Sequence, residues 1–326
     1  MRKSMRRWMT TATIGLAALA ASAGAQAYSN LYIFGDSLSD TGNIFALTGG
    51  ATPAAPYFAG RFSDGPVWAE TLATSLGLPA ASTASLLGGQ NFAFGGARTS
   101  GGSIPSLVAQ VGGFTGAAGL QDGGTLFVVV GGGNDMRDAR SAFPTMDAAG
   151  ATGRAAAAVT AANNLKTTLN LLAADGARHV LLANLPDLGT TPEAVGLGLV
   201  APSSDATAQF NAQLAGVISH GAGLGLTMHI VDFAGISATV RADALFNGGA
   251  TYGITNVFTP CGTFAGSIGV PCAVSAFSDA LHPSARSHEL LGLAAAAVVP
   301  EAGTTAMMAG GLGLLAWVTR RRRAAR

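Results

Sequence analysis

Charged residues are scarce in this chain of 326 residues, where Asp, Glu, Lys and Arg together make up only 11%. Nine of the 18 basic residues lie at the ends of the chain, four within the first seven positions and five within the last seven. The rest of the chain holds nine basic against 17 acidic residues, a net charge of about −8. A net negative charge repels a phosphate backbone, which argues against nucleic acid as a partner.

Cysteine is also rare, with only Cys261 and Cys272 present. Two cysteines exclude a disulfide-rich scaffold, and without nearby histidines they make a poor zinc site. Neither lies in a nucleophile motif, so a catalytic thiol is disfavoured. The two residues are eleven positions apart in a segment without helical or strand periodicity, and in an oxidising compartment a disulfide closing this loop is the favoured interpretation.

The N-terminus has the pattern of an export signal. Basic residues in the first seven positions precede an apolar run over 11–23, and residues 25–27 read Ala-Gln-Ala. Small residues at the last and third-last positions before a cut suit a signal peptidase, so residues 1–27 are predicted to be a signal peptide cleaved after Ala27. A buried helix is the poorer alternative.

The C-terminus, residues 299–326, has three parts. Residues 299–302 read Val-Pro-Glu-Ala, residues 302–319 are uncharged, and an arginine cluster follows. This tail resembles PEP-CTERM sorting signals of Gram-negative bacteria, which implies transient membrane anchoring and processing by an exosortase-type protease. Ala302 stands where that signal has a second proline, and a plain C-terminal membrane anchor is the alternative. Either interpretation predicts that residues 28–298 lie outside the cytoplasmic membrane.

Strand and helix patterns alternate along the body, residues 28–298. Short apolar runs predict strands over 28–34, 91–94, 125–130, 179–183 and 227–233, and the run at 125–130 is apolar on both faces. Helical spacing predicts helices over 66–75, 152–174, 205–220 and 284–298, the last capped by Ser284. Glycine-rich residues 112–124 and 139–153 are predicted to be surface loops. The pattern indicates one α/β domain with a parallel sheet covered by helices on both faces.

Polar residues that could carry chemistry follow these strands. Ser37, Gly96 and Asn134 each stand just after a predicted strand, and parallel strands gather such residues at one edge of a sheet. His282 could take a proton from the Ser37 hydroxyl, and Asp279 could hold the imidazole in one tautomer. The N–H groups of Ser37 and Gly96 and the amide of Asn134 could stabilise an oxyanion.

Each of these residues also has an ordinary structural interpretation. Ser37 could be a helix N-cap, Asn134 a turn residue and His282 a surface histidine. His288, six residues further on, is the alternative base. Taken together, in this order after predicted strands, the residues favour catalysis over three separate structural roles.

With these residues, the chain resembles the GDSL-type SGNH hydrolases. The resemblance rests on residues 34–40 (FGDSLSD), 91–97 (NFAFGGA), 132–135 (GGND) and 278–283 (SDALHP), and it spans about residues 28–298. It implies Ser37 as the nucleophile, Asp279 and His282 as acid and base, and Ser37, Gly96 and Asn134 as oxyanion donors. Gly95 is the adjacent alternative to Gly96. It also implies a three-layer α/β/α, flavodoxin-like fold with about five parallel strands, and neither cofactor nor metal.

The leading hypothesis is therefore an exported serine ester hydrolase, a lipase or esterase that acts on lipid or other acyl esters. Removal of acetyl groups from polysaccharide is the alternative within enzymes, since the same site would serve that substrate. A cell-surface binding protein that has lost activity is the alternative from another class. The expected location is the periplasm, cell surface or exterior of a Gram-negative bacterium.

Overall fold

The structure is a computed structural model that describes residues 28–114 and 123–299. The predicted signal peptide, nearly all of the predicted sorting tail and most of the predicted loop at 112–124 lie outside the described residues. Ser29–Val299 form one compact unit. None of the helices within the described ranges combines the length and hydrophobicity needed to cross a bilayer.

Four parallel strands form the sheet, side by side in chain order: β1 (Asn30–Gly35), β2 (Thr125–Val130), β3 (His179–Ala183) and β4 (Thr227–Val231). In the register of the sheet Phe34 stands opposite Val129, which stands opposite Leu182. Every residue of β2 is buried, as its continuous apolar run predicts for a central parallel strand.

The strand predicted over 91–94 does not extend as a ladder. Asn91 forms only isolated parallel bridges, to Ile33 on one side and to Ala84 on the other. Phe92 N–H donates to the Ile33 carbonyl at 2.7 Å, but Gly95 and Gly96 then lead the chain into a turn. The described sheet therefore has four strands where about five were expected, and the segment at Asn91 runs beside β1 as a rudiment of the fifth.

The α-helices within the described residues are α1 (Asn43–Leu47), α2 (Trp68–Ser75), α3 (Leu107–Phe114), α4 (Gly133–Ala142), α5 (Ala148–Ala174), α6 (Pro192–Gly196), α7 (Val200–Gly223), α8 (Phe233–Phe246) and α9 (Ala285–Val298). Short 3₁₀ turns lie at Pro79–Ser82, Ser85–Leu87, Leu188–Thr190 and Cys272–Val274. The four predicted helices are present as α2, α5, α7 and α9, with ends that differ by about one turn. The Ser284 hydroxyl accepts the Ser287 N–H at 3.2 Å, so the predicted cap of α9 is confirmed.

Two expectations about the loops and the fourth strand were wrong. Residues 139–153 belong largely to α4 and α5, because Asp147 caps α5 by accepting the Gly150 N–H at 2.8 Å. The strand predicted to reach residue 233 ends at Val231, and the Asp232 carboxylate caps α8 by accepting the Gly235 N–H at 2.9 Å. The Asp147 cap starts α5 earlier than the apolar pattern suggests, and α8 is a helix that the sequence analysis did not predict.

Helices cover the sheet on both faces. Phe34, Phe127 and Val180 contribute to one apolar cluster together with α3, α5 and α7. The alternating residues Leu31 and Val128 are equally buried on the other face, where α9 packs on α2 and β4. This is the three-layer α/β/α arrangement, and it leaves the carboxyl ends of the strands open for a site.

Candidate active site

Ser37 lies in the turn that follows β1, at the carboxyl edge of the sheet. The last residue of β1, Gly35, is held by Gln110, which accepts its N–H at 2.9 Å and donates to its carbonyl at 2.8 Å. The Ser39 N–H then returns to the Asp36 carbonyl at 3.0 Å. The position of the Ser37 backbone is thus fixed by hydrogen bonds on both sides of it.

The Ser37 hydroxyl meets an imidazole from the other end of the chain. Ser37 Oγ lies 2.9 Å from His282 Nε2, although the two residues are 245 positions apart. His282 stands in the loop that precedes α9, closed by a 2.9 Å hydrogen bond from Ser278 N–H to the His282 carbonyl. The ring of Phe62 packs against the imidazole, with 5.3 Å between the centroids.

Asp279 holds the other nitrogen of that imidazole. Its Oδ2 lies 2.6 Å from His282 Nδ1, and its Oδ1 accepts the N–H groups of Leu281 (2.7 Å) and His282 (2.6 Å). Burial would raise the pKa of Asp279, but the hydrogen bonds and charge of His282 lower it well below its usual range. An ionised carboxylate only accepts, so Nδ1 carries the proton and Nε2 is free to accept one from Ser37.

Tyr57 is a member of this cluster that the sequence did not reveal. Its hydroxyl donates to Asp279 Oδ2 at 2.5 Å, the same oxygen that accepts from His282. The ring stands edge-on to Phe264, with 4.9 Å between the centroids. Burial and the Asp279 carboxylate raise the pKa of Tyr57, so the hydroxyl remains a donor. Tyr57 lies in a loop with no periodic pattern, so no sequence signal pointed to it.

We expect Tyr57→Phe to lower kcat at least about tenfold with little change in KM, because a hydrogen bond to a charged group contributes roughly 1.5–3 kcal/mol. Losing this donor also removes one of the contacts that lower the pKa of Asp279. Initial rates of ester hydrolysis at pH 7, over a range of substrate concentrations, give kcat and KM. Tyr252→Phe is the matched control, and equal kcat values for the two variants would contradict this role for Tyr57.

The structure separates the roles of the two adjacent glycines. The Gly95 N–H donates to the Asp40 carboxylate at 2.8 Å, and a Cβ there would stand 2.2 Å from the Phe62 ring. Gly96 is exposed and has a φ of +82°, a left-handed conformation that favours glycine. Within the described ranges, the backbone N–H groups of Ser37 and Gly96 have no acceptor. Both are therefore available to an oxyanion, whereas that of Gly95 is not.

Asn134 opens α4 at the end of β2 and lines the same cavity as Ser37. Its Nδ2 donates to the Ala97 carbonyl at 2.9 Å, which leaves the second hydrogen of the amide for a substrate. Arg137 donates to Asn134 Oδ1 at 3.2 Å and forms two hydrogen bonds with Glu193, at 3.0 and 2.5 Å. The ion pair holds Arg137 against Oδ1, and the Ala97 carbonyl holds Nδ2, so the orientation of the amide is fixed from both ends.

Glu193 connects the amide to the histidine loop. Its N–H donates to the Ala280 carbonyl at 2.7 Å, next to Asp279. Burial opposes ionisation of Glu193, but Arg137 and Arg140 lower the pKa of its carboxyl, so it stays charged. Sequence analysis missed this connection, because neither Arg137 nor Glu193 lies in a recognised motif.

The other acidic residues near Ser37 have structural contacts. Asp36 accepts the Leu38 N–H at 3.0 Å, and its burial raises its pKa to about 6. The carboxylate of Asp135 accepts both the N–H and the hydroxyl of Thr99, at 2.9 and 2.7 Å. These carboxylates hold the loops that carry Ser37 and Asn134.

His288, the alternative base, lies elsewhere. It is fully buried in α9, and its Nδ1 accepts the Trp68 N–H at 3.2 Å. Burial lowers the pKa of His288 to about 3, so the ring is neutral. His282, not His288, is the histidine in contact with Ser37.

The two cysteines form a disulfide, with an S–S distance of 1.93 Å. Asp64 lies beside it, and these three residues are the one group within residues 28–114 and 123–299 that could approach a metal ion together. Because both sulfurs are already covalently paired, the group has no thiolate to offer.

Comparisons with known proteins place this geometry in context. The profile of the family described as GDSL-like Lipase/Acylhydrolase matches residues 31–295. A segment of 71 residues is 45% identical to the phosphatidylcholine-sterol acyltransferase of Aeromonas hydrophila, covering 21% of each chain. An uncharacterized protein in the trpE-trpG intergenic region of Pseudomonas putida is 31% identical over 243 residues, 66% of this chain and 38% of that protein. The chain thus spans well under half the length of these curated relatives.

Among solved structures, Est24, a carbohydrate acetylesterase from Sinorhizobium meliloti, aligns with a TM-score of 0.45 and 14% identity. The alignment covers 82% of this chain and 96% of that one. A likeness of this degree carries no argument about activity.

Proposed function

Because the chain belongs to the family of GDSL-like lipases and acylhydrolases, we propose that it hydrolyses carboxylic esters through an acyl-enzyme on Ser37. The observation that carries this proposal is the continuous chain of contacts from Ser37 Oγ to His282 (2.9 Å) and from His282 to Asp279 (2.6 Å). A hydroxyl is a weak nucleophile unless a base accepts its proton during attack, and this arrangement provides that base.

In the first step Ser37 Oγ attacks the ester carbonyl carbon while its proton passes to His282 Nε2. The carbonyl oxygen becomes an oxyanion, which the N–H groups of Ser37 and Gly96 and the Asn134 amide stabilise. The C–O bond to the alcohol then breaks, and His282 returns the proton to the departing oxygen. An acyl ester on Ser37 and a free alcohol result.

In the second step water replaces the alcohol. His282 accepts a proton from the water as its oxygen attacks the acyl carbon, and the same donors stabilise the second oxyanion. The bond to Ser37 Oγ breaks and His282 returns the proton to that oxygen. Free acid leaves, and Ser37 is restored.

Export belongs to the same proposal. The basic start, apolar run and Ala-Gln-Ala of residues 1–27 support delivery across the cytoplasmic membrane, and residues 299–326 support sorting by an exosortase-type protease or anchoring. A net charge of about −8 over the body supports a neutral or weakly polar ester substrate rather than a polyanion.

A distance between Ser37 and His282 too great for a hydrogen bond would favour the alternative of a binding protein without activity. The observed 2.9 Å does not meet that condition. Each donor and acceptor that the reaction needs is present, which favours catalysis.

The test offers a panel of esters to the purified protein and measures the acid and the alcohol released, which should appear in equal amounts. The panel contains p-nitrophenyl acetate and butyrate, a triacylglycerol and an acetylated polysaccharide. We expect hydrolysis of the p-nitrophenyl esters at rates far above the spontaneous reaction. A folded protein that hydrolyses none of the four would contradict the proposal.

A further inference from the structure

A cavity of about 340 Å³ begins at Ser37 and His282 and extends away from them. It continues between the start of α9 and one side of α8, and is therefore continuous with the proposed reaction site. A group attached to the ester carbonyl would enter it directly from Ser37.

Helix α8 forms one wall of the cavity. Ala234, Ala238, Arg241 and Leu245 line it, and their spacing of three to four residues places them on one face of the helix. The two alanines leave space that larger side chains at these positions would occupy. Most of the remaining lining is apolar and includes Leu185, Leu188, Phe277, Leu281, Leu290 and Leu291.

The charged groups beside this wall are already engaged with protein. Arg241 donates to the Val257 carbonyl at 3.0 Å, and its guanidinium lies 5.0 Å from the centroid of the Phe258 ring. Asp187 accepts the Gly189 N–H at 2.8 Å and the Ser204 hydroxyl at 3.0 Å. A sugar would present several hydroxyls to this lining and would find few free partners, whereas an alkyl chain needs none.

The size of the cavity also favours an alkyl chain over an acetyl group. A water molecule takes about 30 Å³, and a methylene is of similar size, so the cavity has room for on the order of ten such groups. An acetyl group would fill only a small part of it.

We propose that this cavity binds the acyl chain of the substrate, a chain of on the order of ten carbons. The inference rests on the proposed ester hydrolysis at Ser37. The acyl group is favoured over the alcohol because it remains attached to Ser37 through both steps, while the alcohol must leave after the first. A cavity continuous with Ser37 can hold the acyl group through both steps.

The test compares two series of esters below their aggregation concentrations. One lengthens the acyl chain of p-nitrophenyl esters from two to ten carbons, and the other lengthens the alcohol of acetate esters. We expect kcat/KM to rise by up to about fourfold per acyl methylene and by at least a hundredfold overall. The alcohol series should stay within a few-fold.

Ala238→Phe and Ala242→Phe place a ring against the cavity from exposed positions of α8. Each should lower kcat/KM for the ten-carbon ester at least tenfold more than for the acetate ester. Thr239→Phe, exposed on the same helix and outside the cavity lining, should change neither ester.

Three outcomes would overturn the proposal: an acyl series without a rise, a rise with alcohol length instead, or equal effects of the cavity and control variants. All three require measurable hydrolysis of the acetate ester. A protein that hydrolyses no ester would instead contradict the proposed function, so the two failures are distinguishable.

Discussion

Ser37→Ala is expected to lower kcat for a short p-nitrophenyl ester on the order of 10⁶-fold, the scale of losing a serine nucleophile. Only the oxygen that attacks the carbonyl is removed. The oxyanion donors at Gly96 and Asn134 remain and should leave a small residual rate above the spontaneous reaction. His282 keeps its contact with Asp279, so the pocket retains its shape. Initial rates and thermal unfolding of the purified variant measure both consequences.

The fold should be unaffected, because the turn at Ser37 is held by backbone groups and by Gln110 rather than by the hydroxyl. Ser100→Ala, at an exposed position, is the matched control and should keep full activity. A Ser37→Ala protein with the wild-type melting temperature and more than about a tenth of wild-type activity would contradict the mechanism.

Asp279→Asn is expected to lower kcat by about 10⁴-fold through the tautomer of His282. The N–H groups of Leu281 and His282 both donate to the Oδ1 position, so the amide oxygen of the variant must occupy it. The amide nitrogen then faces His282 Nδ1 and donates to it. The imidazole proton moves to Nε2, which points at Ser37 and can no longer accept.

Asp138→Asn is the matched control, because Asp138 is an exposed carboxylate paired with Arg98. Exposed ion pairs contribute little, so this variant should keep its activity and stability. Rates at pH 7 and near-ultraviolet spectra of both variants give the comparison. A loss of less than tenfold in a folded Asp279→Asn protein would mean that the carboxylate does not set the tautomer.

The parts of the fold that depend on short sequence patterns could be predicted. The run at Thr125–Val130 is apolar at every position and is the buried central strand. Ser37 and Asn134 follow strands directly, so the parallel arrangement was enough to bring them to one edge. The strand predicted over 91–94 does not form a ladder, because the glycines that follow turn the chain away after the isolated bridges at Asn91.

The remaining parts depend on contacts across long sequence distances. Tyr57 reaches Asp279 over 222 positions, from a loop whose path no local pattern determines. Sequence analysis favoured Gly96 over Gly95, and the contact that occupies the Gly95 N–H comes from the Asp40 carboxylate, 55 positions away. The cavity wall on α8 was not predicted, because α8 itself was missed. Such features follow from tertiary packing rather than from periodicity.

Covalent capture of the nucleophile tests the central claim most directly. The purified chain is treated with an alkyl fluorophosphonate, its intact mass is measured, and the modified residue is located by fragmentation. We expect one phosphonyl group to be added, on Ser37, and none to be added to the Ser37→Ala protein. A single modification on any other residue, in a protein that still hydrolyses esters, would contradict it.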